Sequence, residues 1–293
     1  MSAPSISEPL GQPIRGPRAL GDDWPRFWHL TYNIALSEFK LKFFGSALGY
    51  VWQVMRPLLL FGVLYVFFVL IFKVDKGKGA AGDFYGAQLL GSIVLFTFFS
   101  ETAGAAVRSV VDRENLVRKI QFPRLVIPLS VTLLAAFNLG LNLIVVMVFS
   151  LLAGVRPMLS WLELPLILTM LAVLTTGVAM LLSALFVRFR DIQPIWDVFA
   201  QILFYSSPVI IPAETVKEKL AHHDFLYHLY TLNPLVTIFQ QFRHAMINRA
   251  TLSAGQVLGS WAALLAPLTI VAAVFVIGFW VFNREAPHIA EDL

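Results

Sequence analysis

The chain has no cysteine in its 293 residues. It therefore has no disulfide, no thiolate metal site and no thiol nucleophile, and the absence fits a reducing or an oxidising compartment equally. Charge is also scarce: 14% of residues are Asp, Glu, Lys or Arg, against about 25% in ordinary globular domains. No GxxxxGK[ST] occurs, which excludes a phosphate-cradling loop and ATP hydrolysis by that route. No His/Asp/Glu set has metal-ligand spacing. His222, His223 and His228 fall in one inter-span loop and read as solvated surface. No serine has a triad context, so no catalytic constellation is visible and the chain reads as no enzyme. Residues 1–23 lack an apolar run of signal-peptide length. With Pro4, Pro9, Pro13 and Pro17 they read as a disordered cytosolic tail.

Apolar residues are abundant. AVILMFWYC account for 58% of the chain, with 25 Phe and 7 Trp, and mean hydropathy is +0.74. One soluble core cannot hide that much apolar surface, so the chain reads as an all-α membrane protein. Six spans are expected, at about 51–72, 88–111, 125–155, 161–187, 192–211 and 258–282. The stretch from Pro57 to Phe72 reaches only about 24 Å at 1.5 Å per residue, so the first span must begin earlier. Arg56 then has to snorkel or face protein. Ahead of the spans, residues 24–44 carry Arg26, His29, Asn33, Ser37 and Lys40 at helical spacing on an otherwise aromatic-rich circumference. That pattern suits an amphipathic helix in the headgroup plane; the alternative is a helix packed on a cytosolic domain, and the chain has no soluble domain to offer it. Between spans five and six, Asn233-Pro234 is an N-cap with Pro at the first helical position. Leu235, Ile238, Phe239, Phe242 and Met246 follow as one apolar face, with Gln240, Gln241 and Arg243 elsewhere. Too short to span, this segment reads as a re-entrant or interfacial outer helix.

Lys and Arg placement sets the expected orientation. With both termini inside, fourteen basic residues fall on the inner side and eight, Arg243 and Arg249 among them, on the outer side. The loop holding Arg108, Arg113, Arg118, Lys119 and Arg124 decides the matter. In that loop, Asp112 to Pro123 contains a short amphipathic helix: Asn115 caps it, Leu116, Val117 and Ile120 form its apolar face, and Pro123 stops it. Such a face needs a partner below the membrane; the plainer alternative is a basic loop that only fixes topology. Glu101, deep in the second span, either lines a hydrated path or pairs with a cation, Arg108 being one candidate.

Several ordered segments resemble the ABC-2 permeases that export polysaccharides. Glu38 to Trp52 followed by Pro57 is similar to the approach to that family's first span. Asn115 to Pro123 after the second span, Arg188-Phe189-Arg190-Asp191 after the fourth and Asn233-Pro234-Leu235 before the sixth sit where the family has like signals. The likeness runs from Trp24 to Phe282, and the long proline-rich tail departs from it. The resemblance implies a 24–293 transmembrane domain in a bacterial inner membrane. It also implies a homodimer bound to two copies of a separate ATPase, which holds ATP and Mg, so this chain carries no cofactor. Residues Glu114, Asn115, Leu116, Val117, Lys119 and Ile120 are then the coupling helix, and the implied cargo is a lipid-linked polysaccharide. Lys42 and Arg56 are candidates to attract a lipid pyrophosphate, with ordinary positive-inside anchoring as the alternative. Trp52, Tyr65, Trp196, Phe204 and Tyr205 are candidate sugar-stacking residues, with packing or an interface belt as the alternative. Membrane lipids are the other partner and nucleic acid is not. A small-lipid or drug permease, a membrane-embedded glycolipid enzyme and a passive channel are competing readings; the channel lacks charge rings. In intact cells, an impermeant amine reagent should label Lys76 and Lys217, and Lys119 only after permeabilisation. Labelling of Lys119 from outside would invert the orientation.

Overall fold

The computed structural model describes residues 23–43, 49–71, 84–114, 122–220 and 222–287. Residues 1–22 of the expected tail and the loop helix at 115–120 lie outside the described residues. Among the described residues all regular structure is helical: α1 (Trp24–Phe43), α2 (Gly49–Tyr65, continued by a π-turn at Val66–Ile71), α3 (Tyr85–Ser109), α4 (Val126–Leu152) and α5 (Leu164–Arg188). Then follow α6 (Ile192–Ser206), α7 (Ala213–Lys219), α8 (Asp224–Leu232), α9 (Pro234–Phe242), α10 (Ala254–Val257) and α11 (Leu265–Glu285).

Five of these segments are long and apolar enough to cross a membrane: Val51–Val69, Tyr85–Ser109, Val126–Leu152, Leu159–Arg188 and Ala262–Glu285. Their bounds lie within a few residues of five of the expected spans. The expected fifth span is shorter than the sequence pattern indicates. α6 ends at Ser206, and its 15 residues rise only about 22 Å, less than the ~30 Å hydrocarbon core. The stop has a local cause. Ser207 is extended (φ −104, ψ 157), as the ring of the following Pro208 requires of the residue before it.

α3 is the central element, packed against α2, α4, α5 and α6. Leu89, Leu90, Ile93, Leu95 and Phe99 along it are all buried. Several hydroxyls inside the bundle bond back to their own helices. Ser92 donates to the Gln88 carbonyl at 2.9 Å, Ser150 to that of Val146 at 2.7 Å and Thr175 to that of Leu171 at 2.7 Å. Each bond runs back one turn, the arrangement open to a hydroxyl where no water is at hand. α1 packs one side on the helical bundle and leaves the other exposed. Phe27, Thr31 and Ala35 are buried, and Phe27 packs with Leu125, Ile127, Met180 and Phe282 at the foot of the bundle. Arg26, His29, Asn33, Ser37 and Lys40 face outward, as do Trp24, Trp28 and Tyr32.

α9 begins as expected, with the Asn233 side chain accepting from the Leu235 amide at 3.0 Å and Pro234 in the first turn. It is not one-faced, however. Leu235, Val236, Thr237, Ile238, Phe239, Gln240 and Phe242 are all buried. In the π-turn that follows (Arg243–Ile247), Arg243 is 0% exposed. Arg243, one of the eight basic residues counted on the outer side, is therefore an enclosed side chain and not a solvated one. The short helix is enclosed by α5, α8, α10 and α11, which carries its cation into the protein body.

α5 and α11 make the most extensive helix pair, and two glycines set its separation. A Cβ at Gly177 would lie 2.7 Å from the Phe275 Cα, and one at Gly278 would lie 2.2 Å from the Gly177 carbonyl oxygen. Small residues at such crossings let backbones touch where no hydrophobic force drives apolar helices together. Gly177→Val or Gly278→Val should push the helices apart at a cost of about 1–3 kcal/mol, the range for overpacking. A lowered melting temperature of the purified protein checks this, with Gly62→Val, at a position where a Cβ meets nothing, as the control.

Candidate functional site

Four of the candidate residues come together on one side of the bundle. Trp52, Arg56 and Leu59 recur along one face of α2 at helical spacing. With Lys42 from the end of α1, Gly49, Gln53 and Glu101 of α3 they line an open pocket of about 620 Å³. Lys42 Nζ donates to Gln53 Oε1 at 3.2 Å. Arg56 Nη1 donates to Glu101 Oε1 at 2.8 Å. The partner of Glu101 is thus Arg56 of the neighbouring helix rather than Arg108 of its own. The two side chains are 78% and 46% exposed, and an ion pair that open typically contributes ~1 kcal/mol or less.

Behind Glu101 the pocket narrows into a crevice of about 40 Å³ whose lining includes Gln53, Thr97, Asn138 and Asn142. Asn142 Nδ2 donates to the Asn138 carbonyl at 3.0 Å. Asn138 Oδ1 is buried without a protein partner. A space of this size with polar walls holds about one water. Glu101 therefore both pairs with a cation and faces a polar recess.

The remaining aromatic candidates lie elsewhere. Tyr65 packs on Phe61 with ring centroids 5.4 Å apart. Trp196 is buried, with its ring 5.7 Å from that of Phe99 and its Nε1 3.4 Å from the Ser100 carbonyl. Phe204 meets Phe96 edge to face at 5.0 Å. Tyr205, beside it, is exposed. Trp52 is therefore the aromatic candidate that lines the polar pocket. At the bundle's other feature of interest, Glu114 closes a turn after α3, its amide donating to the Val111 carbonyl at 3.0 Å. Asn115, Leu116, Val117, Lys119 and Ile120 lie outside the described residues. Arg113, just ahead of them, is paired with Glu38 of α1 and donates to the Ser109 carbonyl at 3.0 Å. That ion pair ties the outward-facing α1 to the start of the loop, a link that sequence spacing does not reveal.

Arg243 is the other residue that sequence reasoning missed. Its Nε donates to Ser92 Oγ of α3 at 3.1 Å and its Nη2 to the Val209 carbonyl at 3.0 Å. Tyr85 donates to the Ile210 carbonyl at 2.8 Å, and Asn233 Nδ2 to Ser207 Oγ at 3.0 Å. Three side chains thereby clasp the non-helical segment between α6 and α7. Burial lowers the guanidinium pKa, while nearby Glu214 acts to raise it; an arginine in this setting stays charged. The available signal was a lone cation within an apolar segment, which marks a structural or functional site.

The exposed Arg56–Glu101 pair yields a sharp expectation. Glu101→Gln should shift the melting temperature little, with or without Arg56→Gln, because neither change strands a buried charge. Loss of transport without loss of stability assigns the carboxylate to the pocket's work. A large destabilisation rescued by the second substitution would contradict the exposed geometry.

The sequence matches the family described as ABC-2 type transporter over residues 30–247. Among curated relatives, an "O-antigen export system permease protein RfbA" of Klebsiella pneumoniae is 26% identical over 265 residues, covering 90% of this chain and 95% of the relative. A protein of the same name from Myxococcus xanthus is 24% identical, again covering 90% of this chain and 95% of the relative. The family match takes in α2 to α9 together with the polar pocket and the buried arginine, well over half of the molecule, and the chain belongs to the ABC-2 type transporter family.

Proposed function

We propose that this chain is the membrane subunit of an ATP-driven exporter that moves a lipid-linked cell-surface polysaccharide outward across a bacterial inner membrane. The observation that carries the reading is its nearly end-to-end similarity to permeases named for O-antigen export. The missing phosphate loop supports a division of labour in which ATP and Mg are bound by a separate ATPase. In this reading two copies of the chain pair with two ATPase subunits, both termini are cytosolic, and α6 completes a sixth crossing in the assembled complex. The segment from Glu114 to Ile120 is the coupling helix, with Leu116, Val117 and Ile120 seated in an ATPase groove and Lys119 on its polar side. α1 lies at the headgroup level beside the lateral opening, as its exposed Trp24, Trp28 and Tyr32 favour. The segments from Pro208 to Met246, α9 among them as a re-entrant helix, form the outer gate.

The polar pocket is the receiving site. Arg56 and Lys42 supply cations for a lipid pyrophosphate, and Trp52 offers an exposed ring on which a sugar can stack. Tyr65, Trp196, Phe204 and Tyr205 serve the same path farther along, beside the packing contacts they make. Depleting the protein should cause a lipid-linked glycan to accumulate on the cytosolic side, and analysis of that glycan names the cargo. Replacing Leu116 and Ile120 with Glu should detach a co-purifying ATPase and abolish export while the permease stays folded in detergent. ATPase binding at wild-type strength in that double variant would remove this segment as the joint.

A further inference from the structure

A second groove shares no lining residue with the polar pocket. It opens between α5, α9 and α11, measures about 770 Å³, and is walled by apolar side chains that include Leu166, Met170 and Leu268. Leu166, Leu268 and Trp261 at its rim are exposed, so the groove faces outward, continuous with the apolar flanks of two helices long enough to cross a membrane. One end is polar. Glu163 accepts from Gln241 Nε2 through Oε2 at 2.7 Å, and its Oε1 lies 3.6 Å from Arg249 Nη2. That spacing is wide for a charge-assisted bond, which closes to about 2.7–2.9 Å, and the two side chains are 39% and 58% exposed. His244 also lines this end. Its Nδ1 lies 2.8 Å from the Thr251 carbonyl. A carbonyl only accepts, so Nδ1 carries a hydrogen, an arrangement in which the neutral tautomer presents Nε2 as an acceptor.

We propose that this groove binds one phospholipid whose head group carries a primary ammonium beside its phosphate. The acyl chain lies along Leu166, Met170 and Leu268, the phosphate meets Arg249, and the ammonium sits between Glu163 and His244 Nε2. Charge complementarity selects the occupant: a cation and an anion held slightly too far apart for each other match a zwitterion of opposite order. An ammonium with three N–H donors can serve two acceptors at once, whereas a quaternary choline has none to give and a glycerol head group has no cation. The loosely closed Glu163–Arg249 pair leaves both groups able to turn toward the lipid.

The test is lipid retention by the full-length chain in its native assembly. The protein is placed in nanodiscs of equimolar phosphatidylethanolamine, phosphatidylcholine and phosphatidylglycerol, extracted gently, and its bound lipids are counted by native mass spectrometry. Phosphatidylethanolamine should be enriched about tenfold over the other two, the factor expected for one hydrogen bond to a charged group. Enrichment should vanish in Glu163→Gln/Arg249→Gln and largely survive in Arg249→Lys, with the melting temperature serving as the check on folding. Met170→Trp, which fills the groove, should reduce retention of every lipid there. Equal retention of phosphatidylcholine would overturn the ammonium assignment, and preference for phosphatidylglycerol would reduce the site to an anion contact. Unchanged enrichment in the double Gln variant, or disulfide cross-linking of two copies through Leu268→Cys, would overturn the site itself.

Discussion

Inside an apolar bundle each polar group must find its partner within the protein, because the surroundings offer none. Most of this molecule is arranged around that requirement. Hydroxyls on α3, α4 and α5 bond back to their own helices, so the helices can pack through flat, small-residue surfaces. Gly177 and Gly278 carry this furthest, bringing two main chains into direct contact. The close packing in turn encloses α9, which is too short to cross a membrane; its cap is its own Asn233, and its cation bonds to Ser92 and to the Val209 carbonyl of neighbouring elements.

The two arginines of greatest interest show the constraint resolved in opposite ways. Arg243 is fully enclosed and spends its donors on Ser92 and on the backbone at Val209, so its charge serves to fix a segment that has no helix of its own. Arg56 is largely open and shares a single carboxylate with a pocket that continues into a polar recess. A cation so lightly committed is available to an incoming anion; one buried and bonded on two sides is not. Geometry thus separates a structural arginine from a candidate ligand-binding one, although the sequence shows both simply as lone charges in apolar surroundings.

Membership in the ABC-2 family makes this chain a transport membrane subunit. Two arrangements tie its helices together at opposite ends. Arg113, paired with Glu38, joins α1 to the turn after α3. At the other end the clasp formed by Tyr85, Asn233 and Arg243 ties α3 and α9 to the segment between α6 and α7. α3, most of which is buried, is common to both arrangements.

Much was legible in the sequence for a physical reason. The transfer free energy of an apolar run is a local sum, so five long segments and their approximate ends follow from composition along the chain. The Asn233-Pro234 cap is equally local, and the polar stripe of α1 follows from helical spacing. Other features depended on which helix faces meet. The partner of Glu101 lies on another helix, 45 residues away in sequence, and periodicity cannot choose between it and Arg108. The burial of Arg243 likewise came from the tertiary arrangement acting on a short, ambiguous segment, whereas α6 stops at Ser206 for the local reason that Pro208 follows. Composition along the chain determined that this protein enters a membrane and roughly where. Only the packing of the helices decided which charges face each other, which are enclosed and which remain open to a ligand, because those outcomes depend on contacts between residues distant in sequence.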